Sequence, residues 1–329
     1  MKVAILGYGA IGKKRFQAVR GLREKYDIEN IFVYDPFVDA DIIIHSNLKD
    51  IETAKPDWVI IATPNDVMLE LFDIVADWNT NILVEKPFGR NFAEATRLYL
   101  KIRGKNRLLV GHNYRFFEGI AKLIEDVHNN VFGDLISVNM SLAHGGNPTD
   151  NQTWRLNAEK AGRGGSFLDL GTHLLDIAIQ IENGNSVFHS YQGIATNSFW
   201  NENLLEETHL LFCHGGCIFN LQTSMTRWAN NFRVEVNGKD GYGIVQGRGS
   251  FYGTQTYIRG KRWGWMDSDL KIQPEELVVT SDCSKSFYYE LDALFGNREE
   301  YYLPPCTDEE AIAIMGLYNC CINAIKNRG

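Results

Sequence analysis

Residues 2–12, KVAILGYGAIG, join a short apolar run directly to three glycines spaced as G-x-G-x-x-G. The spacing alone is common, but here it follows a strand-like run and leads into a helical pattern, which is the context that a dinucleotide-binding turn requires. The first glycine allows the tight turn, the second lets the backbone approach a pyrophosphate, and the third allows the helix to pack closely on the strand. The N-terminus of the helix then faces the negative charge of the phosphates. We therefore predict cofactor contacts at Gly7, Gly9, Ala10, Ile11 and Gly12.

Short apolar runs continue to alternate with helical patterns over residues 1–120. This alternation is typical of a parallel sheet that is covered on both faces, and right-handed crossovers make such a sheet doubly wound. We therefore predict an α/β Rossmann domain over residues 1–120. Its predicted strands are Val3–Gly7, Ile31–Tyr34, Ile42–Ile44, Trp58–Ala62, Ile82–Glu85 and Leu108–Gly111, and its predicted helices are Ile11–Tyr26, Asn65–Trp78 and Asn91–Arg103.

After residue 120 strand-like segments separated by glycine turns dominate the chain. They predict an α+β domain over residues 121–329, with an open, mainly antiparallel sheet and helices on one face. The predicted strands are Ile136–His144, Val187–Ala195, Glu207–His214, Cys217–Met225, Phe232–Asn237, Gly243–Gly247 and Thr254–Arg259. The predicted helices are Ile120–His128, Gly165–Ile181 and Asp308–Asn327, the last of which can pack back on the first domain.

Aromatic residues in the second half fit two interpretations. They belong either to the core of the domain or to a sheet face that pairs with a second copy, which would make the protein a homo-dimer or homo-tetramer. The residues concerned are Phe212, Phe219, Trp228, Phe232 and Tyr252.

The composition excludes several classes of protein. With 329 residues, of which 44% are hydrophobic and 22% charged, the chain is an ordinary globular sequence of two-domain size. No apolar run approaches the ~20 residues that span a bilayer, and the first residues lack the apolar stretch and cleavage site of a signal peptide. The net charge of −8 is spread along the chain, which disfavours nucleic acid or an anionic membrane as a partner. We expect a cytoplasmic protein that binds a small molecule.

Six cysteines lie between residues 213 and 321. Cys213 and Cys217, with His209 and His214, are residue types that bind zinc. However, this segment favours two strands joined by a glycine turn, and no second ligand cluster follows it. We therefore predict free thiols of a reducing compartment and no metal site.

Two segments border the predicted cofactor site, because ligands bind beyond the carboxyl ends of the strands in a doubly wound sheet. Asp35 ends the second strand, 23 residues beyond Gly12. Its carboxylate can accept hydrogen bonds from the adenosine ribose and repels a 2′-phosphate, which favours NAD while leaving NADP possible. Thr63, Pro64 and Asn65 follow the fourth strand at the same edge. A solvated turn at either place is the alternative.

The chemistry is predicted from Glu85-Lys86-Pro87, at the end of another strand, and from a later helix. Glu85 and Lys86 border the cofactor; Lys86 can donate a hydrogen bond to the oxygen being oxidised, and a cis Lys86–Pro87 bond is a hypothesis. Asp169 and His173 are i and i+4 and share a helix face. His173 can take the alcohol proton as hydride leaves the same carbon, with Asp169 orienting the imidazole and raising its basicity. A surface lysine and a structural Asp–His pair are the alternatives.

Taken in order, these motifs resemble those of the Gfo/Idh/MocA family, named for glucose–fructose oxidoreductase, inositol dehydrogenase and rhizopine catabolism. The resemblance covers about residues 1–180 by motif. The segments that carry it are the glycine pattern, Ala62-Thr63-Pro64-Asn65, Glu85-Lys86-Pro87, Gly111-His112-Asn113-Tyr114-Arg115-Phe116, Trp154-Arg155 and Gly-Gly-x-x-x-Asp-x-Gly-x-His-x-x-Asp at 164–176.

The resemblance implies an oligomeric oxidoreductase that moves hydride between NAD(P) and a sugar, sugar derivative or cyclitol. It implies Lys86, Asp169 and His173 as the chemical residues, here called the chemical trio, with His173 as base or acid. It implies substrate contacts at Asn113, Tyr114, Arg115, Arg155, Asp169, His173 and Asp176.

Two places depart from the family pattern. Asp66 and Met68 stand in a stretch that often contains His, and Arg15 stands where His is frequent. Arg15 is expected either to reach a cofactor phosphate or to cover the first helix. Two other functions stay open: an NAD-dependent glycosidase on the same scaffold, and a non-catalytic dinucleotide sensor. The sensor predicts a degraded chemical trio, whereas all three residues are present.

Overall fold

The protein is described here by a computed structural model, which covers residues 1–38, 45, 47–105, 107–146, 154–262, 275–279, 283–296 and 301–326. Within these residues the backbone forms two sheets with helices packed on them. The predicted combination of a Rossmann sheet and an α+β domain with an open sheet is confirmed. Among the described helices, none is both long and apolar enough to cross a membrane.

The first sheet has the doubly wound order. Its described strands are β1 Lys2–Leu6, β2 Asn30–Tyr34, β3 Trp58–Ile61, β4 Asn81–Glu85, β5 Leu108–Gly111 and β14 Cys306–Thr307. They lie in the order β14-β5-β4-β3-β1-β2, and all pairs are parallel except β14 with β5. The predicted strand Ile42–Ile44 lies outside the described residues, next to a bridge between His45 and Tyr34. The helices that accompany them are α1 Ala10–Gly21, α2 Leu48–Ala54, α3 Asn65–Val75 and α4 Phe92–Ile102.

Strand β1 shows why its sequence is apolar at every position. Val3 and Ile5 pack into one core cluster, whereas Ala4 and Leu6 pack into another on the opposite face. All four side chains are fully buried. A strand that is covered on both faces needs apolar residues at successive positions.

The second sheet is mainly antiparallel. Its described strands are β6 Leu135–Ala143, β7 His189–Thr196, β8 Glu207–His214, β9 Cys217–Ser224, β10 Asn231–Gly238, β11 Gly241–Gln246, β12 Gln255–Lys261 and β13 Glu275–Val279. In this described part the order is β13-β12-β11-β10-β6-β9-β8-β7, and β6 with β9 is the parallel pair. The later helices are α5 Glu118–His128, α6 Ala158–Ala161, α7 Thr172–Ile181, α8 Cys283–Phe295 and α9 Asp308–Lys326.

The last two long helices return to the first sheet. Helix α8, which the sequence analysis did not predict, packs on α1, and α9 packs on α4 and β5 as well as on β7. Phe287, Leu291 and Leu294 of α8 join the same core cluster as Val3 and Ile5. The C-terminal region therefore completes one cover of the Rossmann sheet.

The aromatic residues of the second sheet divide between core and surface. Phe212, Phe219 and Phe232 are buried in the core of the protein itself, so for these three the core interpretation is right. Trp228 is exposed.

The cysteine-rich hairpin holds its histidines by local contacts. His209 Nε2 lies 2.9 Å from Glu207 Oε1, and His214 Nδ1 lies 2.7 Å from the Val187 carbonyl oxygen. Burial raises the pKa of the Cys217 thiol to about 12. In the described part of the chain, no group of three or more His, Cys, Asp and Glu side chains is placed to hold a metal ion.

Candidate active site

A cleft of about 800 Å³ lies between the carboxyl edge of the first sheet and the second domain. It brings together residues that are far apart in the sequence, from the glycine turn to Arg248 and Phe287. The predicted site residues that line it are Gly7, Gly9, Ala10, Ile11, Asp35, Thr63, Pro64, Asn65, Glu85, Lys86, Asn113, Tyr114, Arg155, Asp169 and His173.

The glycine turn is shaped by close packing at two positions and by open space at the third. Gly7 has φ +97°, and a Cβ on it would lie 2.5 Å from the Ala62 carbonyl oxygen. A Cβ on Gly12 would lie 1.9 Å from the Gly7 carbonyl oxygen, so this position requires glycine for packing and does not itself line the cleft. A Cβ on Gly9 would meet no described atom within 4 Å. Gly9 caps the N-terminus of α1 without a side-chain hydrogen bond, which leaves the first amides of the helix facing the cleft.

Asp35 is held beside this turn. Its Oδ2 accepts a hydrogen bond from the Tyr8 amide at 2.7 Å, and its Oδ1 accepts one from the Phe37 amide at 2.9 Å. Farther along the edge, Thr63 Oγ1 is buried with no hydrogen-bond partner among the described atoms. The glycine turn, the first amides of α1 and these oxygens together fit a dinucleotide along this edge. We call this set of groups the dinucleotide cradle.

Lys86 and Asp169 form the polar centre of the cleft. Lys86 Nζ donates to Asp169 Oδ1 at 2.5 Å and to the Asp169 carbonyl oxygen at 2.8 Å. Asp169 lies in a π-helical turn, Phe167–Gly171, and its side chain is 44% exposed to the cleft. Desolvation opposes the ionisation of this carboxyl, but the charges of Lys86 and Arg155 outweigh it and lower the pKa of Asp169 to about 2. The Lys86–Pro87 peptide bond is cis, as hypothesised.

His173 lies in the first turn of α7 with its ring against Tyr114. The ring centroids are 3.8 Å apart and the planes differ by 8°, while His112 approaches edge-on at 5.7 Å. Burial, together with the positive charge of Lys86, lowers the pKa of His173 well below its usual value of 6.5. His173 Nδ1 has no hydrogen-bond partner among the described atoms. The ring is therefore neutral near pH 7 and can accept a proton.

One expectation about this pair is wrong. Asp169 was expected to orient His173 and raise its basicity, but its carboxylate pairs with Lys86, and in the described residues no hydrogen bond joins it to His173. The imidazole is oriented by stacking on Tyr114, and its pKa is lowered. The π-helical turn before α7 changes the i to i+4 relationship that an uninterrupted α-helix would give.

The predicted substrate contacts at Arg115 and Asp176 are also wrong. Arg115 is 1% exposed and Asp176 is fully buried. Arg115 Nη2 donates to Asp176 Oδ1 at 2.5 Å, and its Nη1 donates to Glu310 Oε1 at 3.0 Å. These ions join the turn after β5 to α7 and α9, away from the cleft. Asn113, two residues earlier, does line the cleft and donates to Ser286 Oγ at 2.7 Å.

Arg15 lies neither in the lining of the cleft nor at the surface, so both expectations for it are wrong. It is fully buried, with Nε 2.5 Å from Glu85 Oε1 and Nη1 2.6 Å from Glu290 Oε2. Burial raises the pKa of Glu290 to about 7 against the attraction of Arg15, and the charge of Glu85 adds to the rise. Glu85, which lines the cleft, is thus held by Arg15 of α1, and Arg15 also pairs with Glu290 of α8.

Sequence reasoning missed several residues of the cleft. Arg248 lies with its guanidinium 3.8 Å from the centre of the Tyr252 ring and 5.6 Å from that of Tyr114. No pattern marks it, because it stands between two glycines of a loop. Phe287 was within reach of sequence analysis, since Phe287, Leu291 and Leu294 have helical spacing. Lys14 is another cleft residue that no sequence pattern marked.

Comparison with known families decides what kind of protein has this cleft. Residues 1–112 match the family model described as "Oxidoreductase family, NAD-binding Rossmann fold". Residues 124–329 match the model described as "Oxidoreductase family, C-terminal alpha/beta domain". The chain belongs to the Gfo/Idh/MocA oxidoreductase family. Its first domain is the NAD-binding Rossmann domain of that family.

The chain spans about half the length of two named members of the Gfo/Idh/MocA family that it matches. The rhizopine catabolism protein MocA of Rhizobium meliloti is 28% identical over 184 residues, which cover 53% of this chain and 55% of MocA. The inositol 2-dehydrogenase of Rhizobium meliloti (strain 1021) is 30% identical over 191 residues, which cover 54% of each chain.

Solved structures of similar fold cover the whole chain. A levoglucosan dehydrogenase in complex with NADH and levoglucosan has a TM-score of 0.84 at 14% identity, covering 100% of this chain and 98% of that one. An inositol dehydrogenase homologue with NAD⁺ from Azotobacter vinelandii has a TM-score of 0.80 at 15% identity, covering 100% and 96%. At these identities the likeness establishes the fold of this Gfo/Idh/MocA protein.

Proposed function

We propose that this protein is an NAD-dependent dehydrogenase or reductase that acts on a CH–OH or keto carbon of a sugar, sugar derivative or cyclitol. The observation that carries the proposal is the placement of the chemical trio in one cleft with the dinucleotide cradle. Relatives named as levoglucosan and inositol dehydrogenases support this substrate class.

The dinucleotide would lie along the carboxyl edge of the first sheet. Gly9 and the first amides of α1 would receive the pyrophosphate, and the Asp35 carboxylate would accept hydrogen bonds from the adenosine ribose. Bound NAD supplies the hydride acceptor or donor. The protein supplies a cradle for the dinucleotide and a proton acceptor for the substrate.

Each residue of the chemical trio has its own role toward the substrate. His173, which is neutral because its pKa is lowered, takes the hydroxyl proton in oxidation and returns it in reduction. Lys86 donates a hydrogen bond to the same oxygen and stabilises negative charge that develops there. Asp169 holds Lys86 in place at 2.5 Å, and its exposed carboxylate can accept a hydrogen bond from a second hydroxyl of the substrate. Arg155, Asn113 and Tyr114 line the substrate side.

The cofactor preference tests the assignment of Asp35. Replacing Asp35 with Ala and introducing an Arg beside it should move the kcat/KM preference from NAD toward NADP, because the carboxylate no longer repels a 2′-phosphate. The ratio is measured with both cofactors on one substrate. An unchanged ratio of kcat/KM between the two cofactors would show that Asp35 does not contact the adenosine ribose.

The activity itself is tested by absorbance at the reduced-nicotinamide band. The purified protein is mixed with NAD or NADP and a panel of sugars, cyclitols and sugar nucleotides. A substrate-dependent rise with one cofactor supports the proposal. Hydrolysis of a glycoside that needs only catalytic NAD would replace it with a glycosidase, and NAD binding without turnover of any compound would favour a sensor.

A cytoplasmic location stays a prediction.

A further inference from the structure

A small side cavity adjoins the cleft next to Asp169. Its volume is about 40 Å³. Asn65, His144, Trp154, Arg155, Asp169 and Leu170 line both spaces, so the two are continuous at the polar centre. Beyond that entrance the wall is mostly apolar and consists of Leu156, Ala161, Leu168, Trp200 and Met225, with Gly146, Gly165 and Ser166.

A buried carboxylate holds the loop that forms one wall of the cavity. Glu206 is fully buried and accepts hydrogen bonds from the backbone amides of Phe199 at 2.7 Å and Asn201 at 2.6 Å, and from that of Trp200. A buried carboxylate is costly unless hydrogen bonds replace water, and here three amides of one loop do so. The loop is therefore tied down at each of its three residues.

Side-chain contacts set the remaining geometry of that wall. The Trp200 indole N–H donates to the Met225 carbonyl oxygen at 2.8 Å, and Asn201 Nδ2 donates to the Leu156 carbonyl oxygen at 2.7 Å. Gly146, at φ +72°, lies so close that a Cβ would be 2.7 Å from the Trp200 ring. These contacts within the protein itself fix the wall of the cavity, which is what a specificity pocket requires.

The size and lining of the side cavity restrict what can occupy it. The volume of about 40 Å³ is a few times the roughly 10–15 Å³ that one water needs, so the cavity takes a group of a few non-hydrogen atoms. A sugar ring is too large, and a hydroxyl group leaves most of the space unfilled. The apolar wall disfavours water, which needs several polar partners. An acetyl group has three non-hydrogen atoms, an apolar end and one carbonyl oxygen, for which Arg155 at the shared entrance is a donor.

We propose that the substrate is an N-acetylated amino sugar whose acetyl group fills this side cavity. The proposal rests on the dehydrogenase function and narrows its substrate class. Burial of the methyl group against Trp200, Leu156 and Met225 then gives an acetamido sugar a higher kcat/KM than the sugar with a hydroxyl at the same carbon. Differences of this size in an apolar pocket discriminate substrates by roughly 10-fold or more.

Matched pairs of sugars test the proposal. The kcat/KM for NAD reduction is compared for glucose and N-acetylglucosamine, galactose and N-acetylgalactosamine, and mannose and N-acetylmannosamine, each free and as a nucleoside diphosphate sugar. At least one pair should favour the acetylated member by ~10-fold or more. Equal or better activity with the hydroxyl member in every active pair would overturn the proposal and leave the dehydrogenase function standing.

A variant that fills the cavity provides the second arm. Leu156→Phe should lower the acetyl-to-hydroxyl ratio of kcat/KM by ~10-fold, whereas Leu100→Phe, on the exposed side of α4, should leave it unchanged. Ala161→Leu fills the same cavity from α6 and replaces Leu156→Phe if that variant does not fold. An unchanged ratio in a folded cavity variant overturns the proposal. If other polyols reduce NAD but no member of any pair does, the cavity proposal fails alone; if no compound does, the proposed function fails with it.

Discussion

At the scale of single residues, burial decides which ionisable groups of the cleft can do chemistry. His173 is kept neutral by desolvation and by the charge of Lys86, whereas Asp169 is kept charged by Lys86 and Arg155 despite desolvation. The cleft therefore holds a neutral base beside an anion–cation pair. This is the division of charge that proton removal from an alcohol requires.

Replacing His173 by Ala should lower kcat by at least ~10²-fold and leave NAD affinity nearly unchanged, because the base is lost while the cradle stays intact. His189→Ala, on the exposed part of β7, is the matched control. Because its pKa lies well below 6.5, His173 remains in its basic form as the pH falls through that value. The acidic limb of the kcat/KM profile should therefore lie well below pH 6.5. Near-normal turnover of the variant would remove His173 from the mechanism.

Two arginines that the sequence analysis assigned to substrate contact should respond differently to the same substitution. Arg115→Met leaves Asp176 buried without its partner and should cost about 3–5 kcal/mol of unfolding free energy. Arg155→Met, at an exposed position that lines the cleft, should change kcat/KM while the unfolding free energy changes little. Denaturant unfolding and steady-state kinetics separate the two. Equal stability loss in both variants would contradict the assignment of Arg155 to the substrate side.

At the scale of elements, the turn between β1 and α1 uses its glycines for different purposes. Gly12 lets α1 approach β1, since a Cβ there would overlap the Gly7 carbonyl oxygen. Gly9 has an extended conformation that any residue can adopt, with φ −71° and ψ −163°, and a Cβ on it would meet no described atom within 4 Å. The space beside Gly9 is thus available to the cofactor.

Gly9→Ala and Gly12→Ala therefore form an informative pair. Gly9→Ala should fold with wild-type stability but weaken NADH binding by ~10-fold or more, because the new methyl group occupies the approach to the pyrophosphate. Gly12→Ala should lose stability as well as binding. Thermal unfolding and fluorescence titration with NADH measure the two effects. Unchanged NADH affinity in Gly9→Ala would place the pyrophosphate elsewhere.

At the scale of the whole molecule, the second sheet has one face covered by helices and another that carries exposed apolar side chains. Ile194, Leu211 and Ile218 are 68%, 44% and 49% exposed. Strand pairing of Ile194 with His209 and of Ile218 with Cys213 places these side chains together with Leu211 on one face. The homo-oligomer that the sequence analysis predicts would form through this face.

If this face is the interface, a double substitution of Leu211 and Ile218 by Lys should convert the protein to a monomer, because buried like charges oppose association. Light scattering at micromolar concentration measures the mass. Leu100→Lys with Ile74→Lys, both exposed and on α4 and α3 of the first domain, is the control and should keep the wild-type mass. A wild-type mass in the sheet variant would exclude this face as the interface.

What the sequence alone determined is the local geometry and the order of the motifs. The run from Val3 to Gly12 predicts strand, turn and helix because backbone conformation and the absence of a Cβ act within a few residues. The position of Lys86 at the end of a strand is likewise predicted from the residues next to it in the sequence. The helical spacing in α8 also stood in the sequence, although its apolar positions were not recognised there.

Only the tertiary structure decided which charged residues are buried and which face the cleft. Arg115 and Arg155 both stand in short helical turns, yet Arg115 meets Glu310, which is 195 residues away in the chain, and Arg155 lines the cleft. Arg15 is buried because Glu85 and Glu290 converge on it from two other elements. The side cavity is assembled in the same way, from five segments around residues 65, 144–146, 154–170, 200 and 225. Burial and ion pairing are sums over contacts that are distant in sequence, so no local pattern carries them.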